Sequence, residues 1–312
     1  MSERLFGCAL LAVPLLLTAC QDYNVSRISS SDSFVQGGTG LPVDILWVVD
    51  DSATMSEEQD ALTSNFQTYA DVLIDTSADW QLGIITTDID DDEGMLVGPV
   101  LGPDTEDLDS AFTDQASVGI LGSRDEQPLD ALDLATSEPD LGEGNQDLFR
   151  ADADLQILIL TDEDDQSEGT VDSYVSHLQD FKKDTSVVIS LIGGPLPAGC
   201  ASTTSSAEPA ERLHDAVDAT GGTFKSICEP DFAAVMKSFA FTTVGLTDTF
   251  ELSDLPDLET LEVRVDGVLM HERPTDGWQY DAASNAVVFE GLAVPRPGQA
   301  IDLNYFQIFS DE

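Results

Sequence analysis

The sequence predicts an α/β protein in which a doubly wound, mostly parallel sheet is followed by a small all-β module. Apolar runs at residues 43–49, 155–161 and 186–192 are nearly continuous Ile, Leu and Val, as expected of strands buried on both faces. Segments with helical spacing of apolar residues lie between them, which is the pattern of successive βαβ units. After residue 244, short alternating runs separated by turn signals replace this pattern and predict the β module.

The elements follow one another in a regular order. Strands are expected at 43–49, 81–87, 155–161, 186–192 and 223–227. A helix is expected to begin at Ser56, where Ser56 and Gln59 match a capping box, and further helices at 171–181, 209–219 and 232–241. The resulting organisation is an α/β domain at 41–244 and a small β-sandwich-like module at 245–312, in which Asp266-Gly267 predicts a hairpin.

The amino-terminal region predicts export and lipidation. An apolar stretch at 5–17 is too short to span a membrane, and Leu17-Thr18-Ala19-Cys20 resembles the lipobox of bacterial lipoproteins. This resemblance implies a signal peptide at 1–19, an acylated Cys20 and attachment to the bacterial cell envelope, with Gln21 favouring the outer membrane. Residues 20–40 are rich in Ser, Gly and Asp without a hydrophobic period and predict a flexible tether.

Two further cysteines follow the tether. Cys200 and Cys228 form an isolated pair, and in an oxidising compartment such a pair most simply makes one disulfide.

The charge of the chain is strongly one-sided. Sixty Asp and Glu residues stand against twelve Lys and Arg, a formal net charge of −48, which argues against nucleic-acid binding. Because carboxylates are so abundant, an individual Asp or Glu indicates a site only through its position.

Polar residues at the ends of two predicted strands carry the strongest functional signal. Asp50, Ser52 and Thr54 follow the first strand and offer three hard oxygen ligands, which suit Mg²⁺, Ca²⁺ or Mn²⁺; a helix cap is the alternative interpretation. Asp162 ends another buried strand. Carboxyl ends of parallel strands meet at one edge of the sheet, so Asp50 and Asp162 are expected to converge.

These residues resemble the metal-ion-dependent adhesion site (MIDAS) of the von Willebrand factor A (vWA) domain, over roughly residues 43–244. That site uses Asp-x-Ser-x-Ser on a first loop, a Thr on a second and an Asp on a third. Asp50-x-Ser52-x-Thr54 matches the first loop with Thr in the last place, and Asp162 matches the third. The resemblance implies a divalent cation, Mg²⁺ or Ca²⁺, held at the carboxyl edge of the sheet.

The second loop departs from the vWA pattern. Residues 125–132 read Asp-Glu-Gln-Pro-Leu-Asp-Ala-Leu, with Pro128 near the position of the expected Thr. The candidate replacements are Glu126 or Asp125, or Thr86 or Thr87 from the neighbouring strand. An additional carboxylate would favour Ca²⁺ over Mg²⁺.

The resemblance implies a membrane-anchored binding or adhesion module, not an enzyme, whose cation captures a carboxylate of a protein partner. Two alternatives remain open. One is a structural envelope lipoprotein with a vestigial site, and the other is a Mg²⁺-dependent phosphohydrolase of the haloacid-dehalogenase type. The Asp-x-Asp-x-Thr loop of that class differs from residues 50–54 at Ser52, which lacks the acid–base function of an Asp, and Asp164-Asp165 would be its distal acidic pair.

Overall fold

The computed structural model describes residues 27–38, 42–76, 78–138, 140–203, 205–274, 276–290 and 293–308. The predicted signal peptide at 1–19, the lipidation site Cys20 and the first part of the predicted tether lie outside the described residues. Within the described ranges, no helix is both long and apolar enough to cross a membrane.

Helices and strands alternate through the first part of the chain, and strands dominate its end. The helices are α1 (Ser56–Asp75), α2 (Leu108–Ala116), α3 (Pro128–Ala135), α4 (Asp140–Glu143), α5 (Val171–Phe181), α6 (Glu211–Thr220) and α7 (Phe232–Thr243), with 3₁₀ turns at Asn145–Asp147 and Leu258–Thr260. The strands are β1 (Ser29–Val35), β2 (Val43–Val49), β3 (Trp80–Thr86), β4 (Asp154–Leu160), β5 (Val187–Gly193), β6 (Cys200–Ala201), β7 (Ser206–Ala207), β8 (Phe224–Ser226), β9 (Thr249–Glu251), β10 (Glu262–Val265), β11 (Val268–Leu269), β12 (Trp278–Asp281), β13 (Ala286–Phe289) and β14 (Ala300–Phe306).

A five-stranded parallel sheet with the order β3-β2-β4-β5-β8 forms the centre of the α/β part. Successive side chains of β2 face opposite layers: Trp47 packs with residues of α1, α2 and α7, whereas Leu46 and Val48 pack with residues of α3, α5 and α6. Both faces of the sheet are therefore covered, and β2 is completely buried. The predicted fold class, a doubly wound parallel sheet accompanied by antiparallel β structure, is confirmed.

The β structure that follows α7 forms two antiparallel sheets, β1-β14-β10-β11 and β12-β13-β9. Its core is continuous with the face of the parallel sheet that α1 and α7 cover. Phe250, Val263 and Leu303 belong to the same buried apolar cluster as Phe239 of α7.

The prediction of a flexible tether over residues 20–40 is wrong for Ser29–Val35. This segment forms β1 and pairs antiparallel with β14, from Ser29 opposite Phe306 to Val35 opposite Ala300. Its Ser-rich sequence has no apolar period because the strand covers the edge of β14 mainly through backbone hydrogen bonds. Side chains add to this pairing: the ring of Phe34 lies 5.3 Å from that of Phe250, and Asp32 accepts a hydrogen bond from the Tyr305 hydroxyl at 2.8 Å. An amino-terminal strand therefore belongs to the β module that was predicted for residues 245–312 alone.

The predicted disulfide between Cys200 and Cys228 is confirmed. It joins the hairpin of β6 and β7 to the segment that follows β8. The hairpin is thereby held beside the carboxyl edge of the parallel sheet.

Candidate metal centre

The first loop of the predicted site forms a compact cluster at the end of β2. The Asp50 amide donates to the Leu160 carbonyl at 3.0 Å, which continues the pairing of β2 with β4. Asp50 Oδ1 accepts a hydrogen bond from the Ser52 amide at 2.7 Å, and Ser52 Oγ lies 3.1 Å from Thr54 Oγ1. Asp50 and Ser52 are buried and Thr54 is exposed, so Thr54 lies on the solvent side of the cluster.

The third loop meets the first one, as the parallel register requires. Thr54 Oγ1 donates to Asp162 Oδ1 at 3.3 Å, and Thr161 Oγ1 donates to Asp50 Oδ2 at 2.6 Å. Both carboxylate oxygens of Asp50 are thus fixed, one by a backbone amide and the other by Thr161. The convergence of Asp50, Ser52, Thr54 and Asp162 agrees with the prediction, whereas Thr161 was not among the predicted site residues.

The second loop contributes Glu126, and Thr87 supports it. Thr87 Oγ1 donates a hydrogen bond to Glu126 Oε2, and Glu126 is buried with 1% of its surface exposed. Its other oxygen, Oε1, is buried and has no hydrogen-bond partner. The other two candidates lie elsewhere: Thr86 donates to Asp92 Oδ2 at 2.7 Å, and Asp125 is exposed.

Burial and the nearby charge of Asp50 raise the pKa values of Glu126 and Asp162. Burial, followed by the charge of Asp50, raises the pKa of Glu126 to about 9. The same two causes raise the pKa of Asp162 to about 7. Because burial and like charges both disfavour ionisation, the protein alone stabilises this cluster in partly protonated form. A bound cation would remove that penalty.

Asp51 belongs to a different environment. A Cβ atom on Gly122 would lie 2.2 Å from the Asp51 carboxyl, so Gly122 closes directly over that group. Burial and then the charge of Asp88 raise the pKa of Asp51 to about 7. The Asp51 side chain is therefore oriented towards the loop after β3, where Asp88 and Asp92 lie, and is not counted among the candidate ligands.

Gln59 holds the first loop in place, in a role that the sequence did not indicate. The predicted capping box of Ser56 and Gln59 is wrong, because the residue before α1 is Met55 and no side chain caps the helix. Gln59 Nε2 instead donates to the Asp50 carbonyl at 2.9 Å and to the Gly119 carbonyl at 2.7 Å. It thereby joins the first loop to the loop that follows α2.

A hydrogen-bonded network fixes the second and third loops relative to each other. The Gln166 amide donates to the Glu126 carbonyl at 2.7 Å, and the Leu129 amide at the start of α3 donates to Asp165 Oδ1 at 3.1 Å. Arg212 Nε lies 2.8 Å from Asp165 Oδ2. The loop residues that approach Asp50 are therefore anchored to α3 and α6.

The donor set fits a hard divalent cation. All candidate ligands are oxygens, from the carboxylates of Asp50, Asp162 and Glu126 and the hydroxyls of Ser52 and Thr54, and Glu126 Oε1 is a buried oxygen with no other partner. Among the described residues, no three His, Cys, Asp or Glu side chains form a metal-binding group by themselves. The hydroxyl groups would therefore have to complete the coordination, as the MIDAS pattern implies.

The architecture, a parallel five-stranded sheet between two helical layers with the candidate site at its carboxyl edge, fits the vWA/Rossmann-like α/β class. No family model matches the sequence, and no curated protein matches it either.

Similar folds occur among solved structures at low sequence identity. The pilus adhesin SpaC from Lactobacillus rhamnosus GG is 11% identical with a TM-score of 0.49, covering 89% of this chain and 41% of the adhesin. Proximal thread matrix protein 1 from the mussel byssus is 13% identical with a TM-score of 0.41, covering 69% of this chain and 48% of that protein. A structure of the same byssus protein with a zinc-occupied MIDAS motif is 15% identical with a TM-score of 0.37, covering 67% and 48%. The chain thus spans less than half the length of these proteins.

Proposed function

We propose that this protein is a membrane-anchored module that binds a protein partner through a divalent cation, without catalysing a reaction. Asp50, Ser52, Thr54 and Asp162 would hold the cation, and Glu126 would be the replacement for the usual second-loop Thr. Anchoring would come from the lipid on Cys20 that the lipobox-like segment implies. The outer membrane of a Gram-negative envelope is the proposed location.

The observation that carries this proposal is the convergence of three sequence-distant loops on one cluster of oxygen atoms. Asp50 is hydrogen-bonded to Ser52, and Asp162 is hydrogen-bonded to Thr54. Glu126 lies close enough to Asp50 for the charge of Asp50 to raise the pKa of Glu126. Helix capping does not explain the convergence, because α1 has no side-chain cap.

Different residues would orient the metal ligands and face the partner. The Ser52 amide and the Thr161 hydroxyl orient the carboxylate of Asp50, so that it does not have to be ordered when the cation binds. The exposed Thr54 faces the side from which a partner can approach, whereas Asp162 is buried behind it. When bound, the cation supplies an electrophilic centre with affinity for a carboxylate of the partner.

The phosphohydrolase alternative finds no support in the surroundings of Asp164 and Asp165. Asp164 Oδ1 accepts from the Arg212 amide at 3.0 Å at the start of α6, and Asp165 pairs with the Arg212 side chain. Both carboxylates are engaged in fixing α6. Ser52 also stands where that mechanism needs a second Asp.

The vestigial-site alternative is favoured by one specific observation. A Glu126 with a pKa of about 9 is protonated at neutral pH, and its proton can lie between Glu126 and Asp50 in place of a metal ion. Proton and cation then compete for the same oxygens, and direct metal titration decides between the two functions.

The deciding experiment is calorimetric titration of the lipid-free protein with Mg²⁺, Ca²⁺ and Mn²⁺. We expect one bound ion per chain in the wild type and at least about a hundredfold weaker binding in Asp50→Ala, because a central ligand and its charge are lost. Asp109→Asn, an exposed acidic residue of α2, is the matched control for the loss of one charge and should bind like the wild type. Absence of binding in the wild type would contradict the proposal and favour the alternative, a structural envelope lipoprotein with a vestigial site.

A further inference from the structure

A groove beside the candidate metal centre has a composition suited to a cationic side chain. It has a volume of about 390 Å³ and lies between α1, the hairpin of β6 and β7 and the segment before α7. Four acidic residues line it, Glu57, Glu58, Asp60 and Glu229, and buried apolar residues including Ile227 and Phe232 form its wall.

Glu58 is the unusual residue of this groove. Only 3% of its surface is exposed, and its Oε2 atom has no hydrogen-bond partner. An ionised carboxylate oxygen that is buried without a partner is costly, since neither water nor a protein donor compensates for its desolvation. Ser205 hydrogen-bonds the Glu58 carboxyl group, but the Oε2 atom remains without a partner. No Lys, Arg or His is among the described residues that line the groove, so a positively charged donor for Oε2 would have to come from outside the chain.

The groove and the metal centre are neighbours. Glu58 lies in the first turn of α1, four residues after Thr54, and its charge contributes to raising the pKa of Asp162. The Glu208 amide, which follows β7, donates to the Asp162 carbonyl at 2.9 Å. A single extended segment of a partner can therefore reach both.

We propose that this groove receives an arginine side chain of the same partner whose carboxylate is captured at the metal centre. The inference rests on the function proposed above and specifies the partner as one with an acidic and an arginine residue close together. A guanidinium can donate two parallel hydrogen bonds to Glu58. Its apolar stem can lie along Ile227 and Phe232.

The charge of the molecule favours such a partner over a purely acidic one. Near the metal centre, the acidic groups of the groove and Glu163 repel an approaching carboxylate, and the chain as a whole carries a formal charge of −48. A neighbouring arginine offsets this repulsion and steers the approach. A second metal ion is a poorer occupant, because part of the groove wall is apolar, whereas a hard divalent cation needs a shell of oxygen ligands.

The first test uses n-butylguanidinium as the probe. Its binding to the lipid-free protein is measured by NMR titration in the presence of a chelator. We expect binding to the wild type and about tenfold or weaker binding to Glu58→Gln, since a charge-assisted hydrogen bond is lost. Ala61→Leu, which narrows the groove without changing charge, should weaken binding as well. Glu106→Gln removes one exposed charge outside the groove and should bind like the wild type.

The second test links the groove to the metal centre. Blocked peptides with one Asp and one Arg separated by short glycine spacers are titrated in Mg²⁺ against matched Asp and Gln peptides. At least one spacer length should bind about tenfold better with Arg than with Gln, and the advantage should vanish in Glu58→Gln.

The outcomes separate the inference from the proposed function. Butylguanidinium binding needs no metal and should persist in Asp50→Ala, even if metal binding fails. Equal weakening in Glu58→Gln and Glu106→Gln would reveal non-specific attraction and overturn the inference. The inference would also be overturned if butylguanidinium did not bind to the wild type, or if it bound equally well to Ala61→Leu. Binding of the probe with no advantage for any Asp–Arg peptide would overturn the proposed link between the two sites.

Discussion

At the scale of single residues, position relative to the strands made the convergence of Asp50 and Asp162 predictable. Asp50 and Asp162 each follow a buried apolar run, and parallel pairing of β2 with β4 brings such ends together. The role of Thr161 in orienting Asp50 could not be predicted, because a Thr directly before Asp162 matches no sequence pattern of its own. The sequence predicted a local capping role for Gln59. Its contact with the Gly119 carbonyl, sixty residues away, is a tertiary contact that local sequence patterns cannot predict.

Glu126 gives the first residue-scale prediction. Its folded-state pKa of about 9 lies above the ordinary value of 4.5, so the folded protein binds the proton more tightly than the unfolded chain. The stability that this adds is fully present below about pH 4.5 and is lost as the pH rises towards 9. In chelator, the free energy of unfolding of the wild type should therefore fall with pH through this window more steeply than that of Glu126→Gln.

Chemical denaturation at several pH values between about 5 and 9 measures this difference. Asp125→Asn is the matched control, because Asp125 is the exposed neighbour and its removal should leave the wild-type slope unchanged. Parallel slopes for the wild type and Glu126→Gln would show that Glu126 is ionised in the folded protein. With Mg²⁺ present, affinity should instead rise with pH, since the cation and protons compete for these oxygens.

At the scale of secondary structure, all five parallel strands were predicted to within one residue at each end, whereas the strand Ser29–Val35 was not predicted. Continuous apolar runs identify strands that are buried on both faces. Strand β1 lies at an edge, its residues alternate between exposed and half-buried, and its pairing partner is about 270 residues away. The stability of such a strand comes from the open edge of β14, which the local sequence does not reveal.

The amino-terminal edge of the parallel sheet depends on a buried ion pair that joins three elements. Lys182, after α5, places Nζ 2.8 Å from Asp44 Oδ2 in β2, and it also donates to the carbonyls of Arg150 and Ala153. Asp44 is completely buried, and Lys182 is nearly so. Lys182→Met should lower the free energy of unfolding by about 3 kcal/mol, because it leaves Asp44 with only Arg150 to compensate its charge.

Thermal or denaturant unfolding of the lipid-free protein tests this. The matched control is Lys183→Met, the adjacent exposed lysine, which should change stability by less than about 0.5 kcal/mol. Equal effects of the two substitutions would mean that the buried pair contributes nothing beyond the loss of one positive charge. Since this edge lies opposite the candidate metal centre, Lys182→Met should leave any metal affinity of the wild type unchanged wherever the protein remains folded.

At the scale of the whole molecule, the dominant property is the excess of negative charge, 60 acidic against 12 basic residues. Self-repulsion of this size destabilises the compact state and is screened by salt. The melting temperature should therefore rise by about 5 °C or more from low salt to about 1 M NaCl, where the screening length falls to about 3 Å. An unchanged or falling melting temperature would show that the acidic surface is locally neutralised.

The same property decides how a metal titration must be controlled, because any divalent cation also screens a surface with this charge. The comparison is made at constant ionic strength, with MgCl₂ replacing NaCl. Screening by the bulk salt is then held nearly constant, and a bound ion adds a stabilisation that grows with the logarithm of its concentration above the dissociation constant. We expect this additional rise of the melting temperature in the wild type and in Asp109→Asn, and its loss in Asp50→Ala. An equal rise in all three would assign the effect of Mg²⁺ to the acidic surface instead of the three loops that meet at Asp50.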